Sequence, residues 1–290
     1  MEGEEWLQKS KNLVKELRVD PTVTSIISPA SFEIEQKEGY SSNNHGKFAD
    51  TSGREYYRIL QGPPQDQMLV ARLLKGILPV SDVVFLSNIP EHVDGKGHLF
   101  LSYKMPLNNI GASQEGYGLE EIQQDIDLLR LIFSDRDHSL YELNRPGSEH
   151  NNLRSKDGRT AFFDFGDAFQ NSSGHSFWNF EYESENYCQS LRTSMMHRRK
   201  TQIEEKNIPF LRERVEMLHK NLTGEHGRAF LASILADMER RGVGVPPVIQ
   251  RAPGKSEEEK ISAFQSEIKK RIEALRAGLN DPIDTEASIS

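Results

Sequence analysis

Thr160-Ala161-Phe162-Phe163-Asp164-Phe165-Gly166 is a short apolar run closing on a carboxylate and a glycine, the text of a strand that ends in a turn. Just before it, Lys156-Asp157-Gly158-Arg159 is rich in turn formers, and His150-Asn151-Asn152-Leu153 precedes that. The spacing predicts a hairpin whose strands bring Asn151 and Asn152 up on one side and Asp164 on the other. Farther upstream, Leu119, Ile122, Ile126, Leu129, Ile132 and Phe133 recur at three- and four-residue steps, which predicts an amphipathic helix over 118–133. It runs into the polar stretch Ser134-Asp135-Arg136-Asp137-His138.

Toward the N-terminus, Phe32-Glu33-Ile34 and Tyr56-Tyr57-Arg58-Ile59-Leu60 read as strands on either side of a turn-rich loop, 39–53. A helix over 65–76, a strand at Val83-Val84-Phe85-Leu86 and a strand over 98–105 follow, the last after an Asp94-Gly95 turn. Residues 4–18 form a short amphipathic helix before Pro21. Beyond Asn171 the text is mostly helical, over 181–198, 208–221 and 228–240; Pro246 and Pro247 open a linker, and a charged helix over 256–279 precedes a polar tail.

An apolar strand ending in Asp164-Phe165-Gly166, an asparagine thirteen residues upstream at Asn151, and an Arg136-Asp137 pair before that together resemble the metal-binding and catalytic segment of the protein-kinase-like superfamily. The wording from His150 to Phe169 is more similar to atypical kinases, the phosphatidylinositol 3-/4-kinase-like and HipA-like groups, than to ordinary protein kinases. The resemblance spans about residues 40–220, and strand, strand, helix, strand, strand is the element order of a kinase small lobe.

This resemblance implies an α+β, two-lobed protein-kinase-like fold with a mostly helical C-terminal lobe. Its expected parts are an N-terminal helical extension (1–30), a small lobe (31–107), a large lobe (108–245), and a linker, charged helix and polar tail (246–290). The implied reaction is transfer of the γ-phosphate of ATP to a hydroxyl on a protein, lipid or small molecule, with Mg or Mn. Asp164 and Asn151, with Asn152 beside it, would supply the hard oxygen ligands that such a cation takes. Asp137 would accept or orient the proton of the attacking hydroxyl, with Asp135 its competitor, because lipid-kinase-like patterns place the aspartate before the arginine.

The chain departs from the family pattern in four places. Fourteen residues separate Asp137 from Asn151 instead of about five, so roughly Leu140 to Ser148 loops out, with Asn144, Pro146 and Gly147 suited to an exposed excursion. The phosphate-covering hairpin, 46–58, has only Gly46 and Gly53. Arg58 replaces the strand lysine, and Gln67, beside Asp66, stands where the helix glutamate belongs. An Arg58–Asp66 ion pair would restore the missing contact. Adenine would bond to backbone groups around Tyr103 to Met105, in the expected hinge. Arg58 and Gln67 favour a pseudokinase, a nucleotide-binding or scaffold module; Asp137, Asn151 and Asp164 together favour an enzyme.

Composition narrows the rest. The 290 residues carry 36 basic and 44 acidic side chains, a net charge of -8, which provides no general field for nucleic acid. Cys188 is the one cysteine, so an intrachain disulfide and a cysteine-rich zinc site are excluded, and a reducing, cytoplasmic setting is expected. The most apolar region, 68–86, is interrupted by Arg72, Lys75 and Asp82, so no transmembrane segment is expected. His138, His150 and His175 lack the His-x-x-x-His spacing of a metallohydrolase.

Overall fold

The computed structural model describes residues 47–49, 55–59, 62–75, 77–78, 80–87, 97–103, 128–129, 132–134, 152–154, 160–162, 165–166, 168–169, 177–178 and 208–280. Within them the protein is mixed α and β. Strands β1 (Lys47–Ala49), β2 (Glu55–Arg58), β3 (Val83–Ser87) and β4 (His98–Tyr103) form an antiparallel sheet in the order β1-β2-β4-β3, and helix α1 (Pro64–Leu74) lies in the chain between β2 and β3. β1 falls inside the stretch expected to be loop, pairing Phe48 with Tyr56. The strand expected at 32–34 and the helices expected at 4–18 and 181–198 lie outside the described residues.

Both faces of the sheet are covered, which is why β3 reads as a continuous apolar run. Alternation sends Val83, Phe85 and Phe100 to the main core beneath α1, while Val84, Leu86, Leu99, Leu101 and Tyr56 form a second cluster on the opposite face. Helix α1 opens with Pro64 at its first position, where a missing N–H costs nothing, and buries Met68, Leu69, Val70, Leu73 and Leu74.

A second, two-stranded sheet is the hairpin expected around Lys156-Asp157-Gly158-Arg159. β5 (Asn152–Arg154) pairs antiparallel with β6 (Thr160–Phe162), Asn152 opposite Phe162 and Arg154 opposite Thr160.

The C-terminal region comprises α2 (Ile208–Leu222), α3 (Gly224–Arg240), the short α4 (Pro247–Gln250) and α5 (Glu257–Asn280). α3 begins four residues earlier than expected, since Gly227 donates to the Thr223 carbonyl at 3.0 Å and closes a first turn containing both glycines. α5 starts with a capping box. The Glu259 N–H donates to Ser256 Oγ (3.1 Å), while Glu259 Oε2 accepts from the Ser256 and Lys255 amides (3.2 and 2.6 Å), holding that carboxyl below its usual range.

Within 246–290, expected to hold a linker, a charged helix and a polar tail, the described residues of α4 and α5 contribute to the main core. Val248 and Ile249 of α4 are fully buried, and Phe264, Ile268, Ile272 and Leu275 form an apolar stripe along α5 that joins the same cluster as α1, Val215, Leu218, Ile234 and Met238. Polar contacts fasten the same helices to α1. Arg72 pairs with Asp237 of α3 at 2.5 Å, the Val248 amide donates to Asp66 Oδ1 at 3.0 Å, and buried Arg214 of α2 donates to the Ile77 carbonyl just past α1.

Candidate functional site

The Asp164-Phe165-Gly166 segment is anchored by its middle residue. Phe165 is buried in the main core, the carbonyl of Phe165 accepts the Ala168 amide at 3.0 Å, and a turn results. Gly166 lies against the residue that leads into α1: a Cβ on Gly62 would stand 2.5 Å from the Gly166 carbonyl oxygen. Gly62 also has φ +67°, so both its backbone angle and this close approach require glycine.

The same segment is bonded to Phe133, a described helical residue of the stretch expected to be helix over 118–133. The Phe169 amide donates to the Phe133 carbonyl at 2.7 Å, and the two rings meet edge to face at 5.7 Å. Around this bond sit Ser134 (φ 54°) and Phe169 (φ 62°), the two non-glycine residues with positive φ among the described residues. A left-handed phenylalanine costs on the order of 1–3 kcal/mol and persists only where its surroundings fix it. Here Phe177 and Phe264 flank the Phe169 ring at 4.8 and 5.7 Å. Thus the residue before Asp135 and the residues after Asp164 meet at one strained junction.

Asp135, Asp137, Asp164, Asn151, Gly46, Gly53 and Met105 lie outside the described residues. Asn152 is described as the first residue of β5, and its register partner Phe162 precedes Asp164 by two residues in the chain.

The three remaining candidates are placed, and they do not converge. Arg58 is half-buried and opposite Leu101, on the sheet face turned away from α1. Asp66 is fully buried: its Oδ1 accepts the Val248 amide, and its Oδ2, which accepts no hydrogen bond, lies 3.5 Å from Arg251 Nη2. Burial pushes the Asp66 carboxyl up to about 6, against the Val248 hydrogen bond and the Arg251 charge. The expected Arg58–Asp66 pair is therefore not formed, because strand alternation and the helix face send the two side chains to opposite sides of the sheet. Tyr103 is bonded through its backbone within the sheet, its N–H to the Asp82 carbonyl at 2.9 Å and its carbonyl to the Ser81 hydroxyl. A carbonyl keeps a second lone pair, but the Tyr103 amide already has a partner.

Arg271 is the residue that sequence reading passed over. It is completely buried on α5, where Nε donates to Glu267 Oε1 (3.0 Å), Nη2 to the Phe177 carbonyl (2.7 Å) and Nη1 to Ser134 Oγ (2.9 Å), with the guanidinium 4.6 Å from the Phe177 ring centre. The signal was present, since 264, 268, 271 and 275 fall at one face of a helix and put an arginine in an otherwise apolar stripe.

Among the described residues no group of three or more His, Cys, Asp or Glu could hold a metal, and no helix is long and apolar enough to cross a membrane. A scan against protein-family models found no match, and neither did a search of curated proteins.

Proposed function

We propose that this chain is an atypical kinase that transfers the γ-phosphate of ATP to a hydroxyl acceptor. The observation that carries the reading is the Phe169–Phe133 backbone bond, which ties the Asp164-Phe165-Gly166 segment to the residue preceding Ser134-Asp135-Arg136-Asp137. Two further features support it: the β5–β6 hairpin between the asparagines and Asp164, and the strand, strand, helix, strand, strand order of β1, β2, α1, β3 and β4.

On this reading the acceptor oxygen forms a bond to the γ-phosphorus, the bond from that phosphorus to the β–γ bridging oxygen breaks, and ADP leaves. Asp137, or Asp135 in its place, takes the hydroxyl proton. Asp164 and Asn151 offer a carboxylate and an amide oxygen, the hard donors that suit Mg or Mn, and Asn152 offers a second amide. Such a cation, when bound, neutralises charge on the β- and γ-phosphates.

A specific observation favours the second reading, a nucleotide-binding module without turnover. Asp66 accepts from the Val248 amide and lies 3.5 Å from Arg251, so the Arg58–Asp66 pair expected to replace the family's lysine–glutamate pair is not formed.

ATP binding with and without Mg, followed by phosphate transfer to proteins, lipids and the chain itself, separates the two. For an enzyme, Asp164→Ala abolishes transfer and removes the Mg dependence of binding, whereas Asp137→Ala spares binding and lowers transfer about 10²–10⁴-fold. Wild-type protein that binds ATP without turnover, with Asp137→Ala indistinguishable from it, leaves the binding module standing.

A further inference from the structure

Helix α4 is four residues long and presses Val248 and Ile249 into the main core, with Ala252 buried just behind them. The chain enters it through Gly244, at φ +80°, and leaves it through Gly254, at φ +142°, backbone angles that residues with a side chain rarely adopt. A short helix between two such points can swing as a unit, because the dihedrals that must change belong to residues with no Cβ to obstruct them. Apolar burial holds it on one side. At its seam with α1 the fastening is the Asp66 carboxylate, which accepts the Val248 amide.

That carboxylate is costly to keep there as an ion. Its side chain is 1% exposed, Oδ1 accepts Val248 N–H at 3.0 Å, and Oδ2 accepts no hydrogen bond. An ionised carboxylate offers about four lone-pair sites, so a single amide leaves most of its lost hydration unreplaced. Opening the seam returns the charge to water, whereas a neutral carboxyl gains far less by opening. The surrounding charges do not reverse this. Arg251, just past α4, stands 3.5 Å from Oδ2 on a side chain that is 54% exposed. Lys260 of α5 donates to the Gln250 carbonyl at the far end of α4. On α1 itself Arg72 meets Asp237 and Lys75 meets Asp82, and on α3 Arg240 and Arg241 close on the same Asp237.

We propose that Asp66 makes the α1–α4 seam a proton-gated latch: a proton on Oδ2 keeps α4 seated, and its loss favours a locally opened state of residues 245–253 while the rest of the core stays folded. Oδ2 takes the proton because Oδ1 is engaged by the Val248 amide. Burial raises the carboxyl from 3.8 to about 6, which sets the gate in the mildly acidic range. The seated state is therefore favoured most below about pH 4, loses ground as the pH rises through about 6, and levels off above about pH 7. The latch does not depend on the kinase reading.

Amide hydrogen exchange in the full chain, followed at Val248 and corrected for the intrinsic pH dependence of exchange, reads the opening. One proton separates the two states, with a pKa of about 6 seated and 3.8 in water, so the opening constant at Val248 should rise on the order of 10-fold from pH 5 to pH 8. The amides of buried Leu218 and Leu231 should exchange more slowly than Val248 throughout. Asp66→Asn keeps an acceptor for Val248 and cannot ionise, so its profile should be flat. Arg251→Ala removes the charge that partly offsets burial; it should open Val248 further at pH 8 and leave pH 5 within about two-fold of wild type. Exchange at Val248 that matches Leu218 at every pH, a pH-independent opening constant in wild type, or the same rise in Asp66→Asn overturns the latch. If Asp66→Asn does not fold, Arg251→Ala decides: opening equal to wild type at pH 8 overturns it as well.

Discussion

At Asp66 two effects oppose each other, and their magnitudes decide the sign. One hydrogen bond from the Val248 amide and a half-exposed Arg251 at 3.5 Å do not compensate full burial of a carboxylate, so the folded-state pKa rises from 3.8 to about 6. The folded protein therefore holds a proton that the unfolded chain releases between those values, and this group makes the fold less stable as pH rises from about 4 to about 6. Above that window the ionised carboxylate costs roughly 2–3 kcal/mol. Asp66→Asn keeps the acceptor for Val248 and removes the charge. Urea unfolding should show the variant more stable than wild type by about 1–3 kcal/mol at pH 8, with the advantage gone near pH 4. A less stable variant at pH 8 would mean that the attraction of Arg251 outweighs the burial. Asp237 has the opposite sign: burial is overcome by hydrogen bonds from Arg72, Arg240 and Arg241, which hold its carboxyl well below the usual range, so its contribution is present above about pH 4 and is lost as pH falls.

Among the elements, α5 depends most visibly on its own sequence. Its first turn is closed by Ser256 and Glu259, and its apolar stripe begins only at Phe264, two turns later. Ser256→Ala leaves the stripe untouched and removes one cap, which should cost about 1 kcal/mol and lower Tm by about 2–4 °C for a chain of this size. Differential scanning calorimetry reads this directly, and an unchanged Tm would show that packing of Phe264 and Ile268 alone sets the helix start. The hairpin β5–β6 is the contrasting case. Its four turn residues made the hairpin legible in advance, but not its register: Arg154 pairs with Thr160, leaving the five positions 155–159 between the strands, one more than the turn formers alone occupy.

Across the whole molecule, one core joins the sheet-side helix α1 to the last helix, so a boundary at residue 245 does not separate independent units. Ending the chain there removes Val248, Ile249, Phe264, Ile268, Ile272 and Leu275, all buried. At about 1.5–3 kcal/mol for each side chain the loss is on the order of 9–18 kcal/mol, comparable with or larger than the net stability of an ordinary domain. Residues 1–245 should therefore show no cooperative thermal transition and should be cut rapidly by protease, α1 included. A truncated chain that melts cooperatively near the wild-type temperature would overturn this single-core view.

What the sequence settled was local. Helical text marked α1 and α2, a continuous apolar run marked β3, and a run of turn formers marked the β5–β6 hairpin, because each signal is carried by residues a few positions apart. Tertiary structure alone decided the pairings between distant residues. Arg58 and Asp66 are eight positions apart and look like partners in the text, yet the pleat sends one to the face away from α1 and the helix buries the other against Val248, 182 residues downstream. Ser134 and Arg271, 137 positions apart, carry no mutual signal at all. Their meeting depends on how Phe264 of α5 packs with Phe169 and Phe177, and Phe169 with Phe133, and packing of that kind is a property of the assembled core, not of any segment within it.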